Sequence, residues 1–208
     1  MKKNLLTLLI IFLLAFFCEF THSQSPYNME TGRESLLLSS SLSLSILSLH
    51  LESNIESLKI NDLQNLSREN VNAFDRGATY NWSEDAAVVS DYLLNFMLIS
   101  PATLFTSDKV RNDAGKIVVM YMENLLLSFA AVHTTKILIK RNRPYLYNNN
   151  VPLKYKTESS SRLSFFSGHT IHAFSSAVFL SSVYGEYYPD TIWRPYIWGL
   201  SLLSASLT

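Results

Sequence analysis

Three long runs almost free of charge limit what this chain can fold into. Ser35–Leu51 carries no Asp, Glu, Lys or Arg; Tyr92–Ser107 carries none either; Ile117–Thr135 carries one, Glu123. Each run is 16 to 19 residues long, which suits a helix buried in a bundle or a short membrane span and is far too long for a typical strand. The intervening segments hold the charges and the punctuation. Trp82-Ser83-Glu84-Asp85 is a helix start, with Ser83 as cap and two acids in the first turn. Pro101 interrupts the helix that follows, and SDKVRNDAGK forms a charged turn before the next one. The segment LLLSSSLSLSILSL alternates apolar residues with serine, a pattern that also fits a strand. Helix is favoured, because serine hydroxyls can bond back to their own helix backbone. The expected fold is therefore all-α: a bundle of about five to six helices, embedded in a membrane.

Composition agrees with that class. Of the 208 residues, 48% are hydrophobic and 16% charged, and 17 Lys and Arg balance 17 Asp and Glu, so there is no electrostatic footprint for nucleic acid. Residues 1–23 combine two lysines, an apolar run and small polar residues near Ser23, the build of an export signal or an uncleaved N-terminal anchor. Residues 24–82 divide into the serine-rich helix and a polar connector, in which Asp75 and Arg76 suggest a local ion pair. Residues 83–208 form the helical domain.

The chemistry concentrates between Lys136 and His169. Lys136 and Arg143 stand two helical turns apart, a spacing that predicts both on one helix face together with Lys140, with Pro144 ending the helix. Ser167-Gly168-His169 then precedes the apolar run IHAFSSAVFLSSV, so Ser167 is expected to cap a new helix whose first N–H groups remain available to an anion. Taken singly, each half has an ordinary explanation as a helix terminus. Glu123 and His133 read as hydrogen-bonded groups inside the bundle, His172 as a packed or surface histidine, and Lys154 and Arg162 as loop cations that are solvated or approach a phosphate.

Together, in this order and spacing, Lys136, Arg143 and Pro144 followed by Ser167, Gly168 and His169 resemble the first two signatures of the type 2 phosphatidic acid phosphatase and vanadium haloperoxidase superfamily. Phe166 stands where that pattern has proline. The resemblance implies phosphate binding by Lys136, Arg143, Ser167 and Gly168, with His169 as the general acid, and hydrolysis of a phosphomonoester, a lipid phosphate among the candidates, through a phosphohistidine. No metal or cofactor is implied, except vanadate if the haloperoxidase branch applies. The implied location is a bacterial inner membrane, or the periplasm for a soluble member. A third signature, supplying the histidine nucleophile and its aspartate, has no counterpart here. The histidines are His22, His50, His133, His169 and His172, and no Asp after His172 has a histidine four residues before it. A chain cut before that signature is the expectation, inactive as it stands or serving only as an anion-binding membrane fragment.

Overall fold

The computed structural model describes residues 25–208, so the expected leader lies outside the described residues. Within them the chain is helical, with no strand. Five long helices, α1 (Thr31–Ser53), α2 (Glu84–Ile99), α3 (Ala114–Ile139), α4 (Gly168–Tyr187) and α5 (Arg194–Ser206), are joined by short helical turns. This agrees with the expected all-α bundle.

Local chemistry explains most of the boundaries. Ser83 caps α2 by accepting from the Ala86 N–H at 3.1 Å. Beyond Ile99 the tighter 3-10 winding of Ser100–Thr106 accommodates Pro101. Pro195 occupies the first turn of α5, where its missing N–H costs nothing. The serine-rich segment is a helix throughout. Ser41 and Ser45 each donate to the carbonyl four residues back at 2.7 Å, and Ser48 donates to the one three back at 2.8 Å. These serines, with Leu38 and Glu34, form the buried stripe of α1, whereas Leu36, Ile46 and Leu47 point outward. Small residues with satisfied hydroxyls let α1 lie close along α3.

Cross-helix contacts fix the directions. Glu34 meets Glu123 toward one end of α1 and α3, and Glu52 meets His133 at 2.5 Å toward the other, so these helices run in parallel. Between α3 and α4, Tyr121 pairs with Ser176 at 2.9 Å while Val132 and Lys136 lie beside Gly168; those two are antiparallel. α2 runs with α4, because the Leu98 carbonyl accepts from the same Tyr121 hydroxyl and Asp91 reaches His169. At one end of the bundle, therefore, α1 and α3 finish and α2 and α4 begin. The connectors 54–83 and 140–167 cover that end and hold one another through Asn148 Nδ2 to the Tyr80 carbonyl, 3.0 Å, and Trp82 against Tyr145 and Tyr155.

The opposite end is closed by a buried polar knot. Tyr187 donates to Asp113 at 2.7 Å, and Lys116 pairs with the other carboxylate oxygen at 3.0 Å. Burial works against the Asp113 charge, but the bonds from Tyr187, Lys116 and Ser25 outweigh it and hold the carboxyl below its ordinary range. Burial, reinforced by Asp113, pushes the Tyr187 phenol above its own. A depressed carboxyl contributes stability above the unfolded-state value, about 3.9, and loses it as pH falls through the folded value. A raised phenol contributes below about 10 and loses its contribution as pH climbs toward the folded value. The thermal midpoint is thus expected to sag below about pH 4 in the parent and to do so less steeply in Asp113→Asn. Identical acid slopes would exclude Asp113 as the cause.

Three helical stretches, Thr31–Ser53, Glu84–Thr106 and Ala114–Tyr147, are long and apolar enough to cross a membrane.

Candidate functional site

The residues expected to bind phosphate lie at the end of the bundle covered by the connectors, where α3 stops and α4 starts. Their arrangement departs from the expected single helix face. α3 ends at Ile139, and Lys140 is its left-handed C-cap, with φ 47° and ψ 45°. Arg143 lies beyond the helix in extended backbone, so it does not share a helix face with Lys136, and Lys140 points elsewhere. Nor does Pro144 stop the helix: it opens the 3-10 turn Pro144–Tyr147. The physical reason is a chain reversal that spacing alone does not reveal. The Arg143 N–H donates to the Ser161 carbonyl at 2.8 Å and the Ser164 N–H to the Arg141 carbonyl at 2.9 Å, so residues 141–143 pair with 161–164 instead of continuing α3.

Lys136 nonetheless reaches the start of α4. Its Nζ lies 3.7 Å from where a β-carbon on Gly168 would stand, with Val132 Cγ1 at 3.5 Å. Ser167 caps α4 as expected, accepting from the Thr170 N–H at 3.3 Å. The Gly168 and His169 N–H groups have no protein partner among the described residues, so two donors of the first turn remain available at the positive end of the helix dipole. Arg143 spends Nε on the Ser160 carbonyl, 3.0 Å, which leaves the terminal nitrogens of its guanidinium without a protein acceptor among the described residues. Lys136, the α4 N-terminus and His169 are thus neighbours, and Arg143 is held within electrostatic reach of Lys136.

His169 is half exposed, and its Nε2 lies 2.7 Å from Asp91 Oδ1. Asp91 was not singled out from the sequence. Its only signal there is position: it is the last charge before the uncharged run that begins at Tyr92. One turn further along α4, His172 is partly buried with Nδ1 unpartnered, and Phe129 stacks between it and His133. His133 in turn pairs with Glu52, so it is a hydrogen-bonded bundle residue, as expected. Glu123 is buried against Glu34, although its Oε1 has no partner. Asp75 does not pair with Arg76 as its neighbour in sequence. It accepts from Arg141 at 2.6 Å, while Arg76 donates to the carbonyls of Val71 and Glu69. Among the described residues no group of three or more His, Cys, Asp or Glu is placed to hold a metal ion.

The family model of the PAP2 superfamily matches residues 117–207, the stretch that holds α3, the chain reversal, α4 and α5. This is the superfamily that the two motifs resemble, and the matched stretch contains both of them. No curated protein and no solved structure matches the chain.

Proposed function

We propose that these residues form the phosphate-binding half of a phosphomonoester hydrolase site, set in a membrane and facing lipid phosphates at the headgroup level. The observation that carries this is the Lys136 ammonium seated against Gly168 at the first turn of α4, where charge and free N–H donors converge on one point. A phosphoryl transition state spreads negative charge over its equatorial oxygens, and Lys136, Arg143 and the Gly168 and His169 N–H groups supply complementary charge and donors there. Ser167 contributes by shaping the cap. Gly168 leaves open the space between Lys136 and the first turn of α4, where a β-carbon would already touch Val132 and Lys136. His169, on the rim, is suited to protonate the leaving alcohol. The Asp91 carboxylate accepts from Nε2–H, which fixes the ring's orientation and tautomer. Membrane placement is supported by the three apolar helices and by the outward leucines of α1; the leader points to a bacterial inner membrane.

The test is phosphate or vanadate binding by the purified chain in detergent. Millimolar affinity is expected. Arg143→Ala is expected to weaken it about 10- to 150-fold, the equivalent of one charge-assisted contact of roughly 1.5–3 kcal/mol. Unchanged affinity in a folded Arg143→Ala sample would overturn the assignment.

A further inference from the structure

A cavity of about 570 Å³ opens between the connectors 54–83 and 140–167, and Lys136 is not among its lining residues. Lys140, Arg141 and Arg162 line it with the single carboxylate Asp75. That carboxylate is already engaged by Arg141 at 2.6 Å. Among the described residues Lys140 and Arg162 have no ion-pair partner. The cavity thus carries an uncompensated charge of two, and gathering like charges in a concave polar space is unfavourable unless an anion joins them.

Two further observations point the same way. Among the described residues Lys140 is the one non-glycine at positive φ, in a C-cap position that glycine or asparagine would normally fill. In that backbone conformation Lys140 ends α3 and stands in the cavity wall. Asn72, also on the wall, uses its side-chain oxygen to accept from the Phe74 N–H at 3.0 Å, which leaves its amide N–H₂ as a donor. Ammonium, guanidinium and amide donors around one space match an oxyanion such as phosphate, which a guanidinium can hold by two parallel hydrogen bonds.

We infer that this cavity is a second binding site for a phosphate group, built on Lys140 and Arg162 and independent of the Lys136–Arg143 site. It lies at the level where α1 and α3 end, so a phospholipid headgroup and a free phosphate are the two sources of that chemistry.

The experiment compares the parent chain with Lys140→Gly, Arg162→Gln and their combination, all purified in detergent. Lys140→Gly removes the cation while supplying the residue that positive φ favours, so its thermal midpoint is expected to hold or rise. Inorganic phosphate is titrated by calorimetry, and retention of phosphatidylglycerol against phosphatidylcholine is read by native mass spectrometry. Two phosphate sites falling to one in the double variant, with Arg143→Ala removing the other, identify a free-phosphate site. At least a tenfold loss of phosphatidylglycerol retention identifies a headgroup site. If Lys140→Gly and the double variant match the parent in both arms, the inference fails, whatever becomes of the first site. If the double variant does not fold, Lys140→Gly alone decides by the same two readouts.

Discussion

A polypeptide of these 208 residues is expected to hydrolyse p-nitrophenyl phosphate no faster than its own His169→Ala variant, while still binding phosphate as proposed. The route implied by the superfamily resemblance passes through a phosphohistidine, and its nucleophile needs a carboxylate to orient it. His169 is bonded to Asp91 and stands at the α4 N-terminus, where the proposal gives it the part of general acid and not of nucleophile. His133 is committed to Glu52 and stacked on Phe129, and His172 has its Nδ1 buried with no orienting carboxylate among the described residues. Removing the nucleophile from covalent hydrolases costs about six orders of magnitude in turnover, with roughly 10³–10⁴ over water left to binding groups. A version of the chain extended to include a histidine nucleophile and its aspartate is expected to recover that factor. Comparable rates from both forms, abolished in the short one by His169→Ala, would show that a complete catalytic set already lies within these residues.

Met97→Ala is expected to produce the largest loss of stability among single core substitutions. Met97 is 1% exposed where α2, α4 and α5 meet, and its buried neighbours are Ala173, Ala177 and Ala205. Alanines have no longer rotamer with which to fill a void, so only the partly buried Phe174 and Leu202 at its edge could move into the space left by the thioether chain. Such truncations cost about 2–5 kcal/mol. In a bilayer the transfer part of that cost shrinks and the lost packing remains, which places the expectation toward the lower end. Met97→Leu conserves volume and should cost less than about 1.5 kcal/mol. Denaturant titration of both variants in detergent provides the comparison. Equal midpoints for Met97→Ala and the parent would mean that α2 is not held at this point.

What could be read from the sequence divides along the distance over which each feature is determined. The long helices were legible because apolar runs and caps are local: Ser83 and Ser167 each bond the N–H three residues on, as their positions suggested. The meeting of Lys136 with the α4 N-terminus was legible through the motif pair. The end of α3 was not, because KILIKRNRP has no breaker before Pro144, and the stop at Ile139 depends on pairing with residues twenty positions later. The partners of Asp75 and Asp91 were hidden for the same reason. Arg141 is 66 residues from Asp75 and His169 is 78 from Asp91, and only the folded bundle brings those groups together. Arg162 was read as a loop cation, solvated or approaching a phosphate, but its companions Lys140 and Arg141 were not, since they belong to the other side of the reversal.

The back-bonded serines of α1 bear on how the molecule is assembled. A hydroxyl that needed a partner on another helix would make α1 a poor guest in lipid until that partner arrived. Here each stripe serine carries its acceptor one turn behind it, so in a bilayer the hydroxyls of α1 would need no partner from another helix. Its docking against α3 would then be decided by shape, the smooth side of one helix finding another once both lie in a bilayer, with Glu34 and Glu123 setting how far one slides along the other.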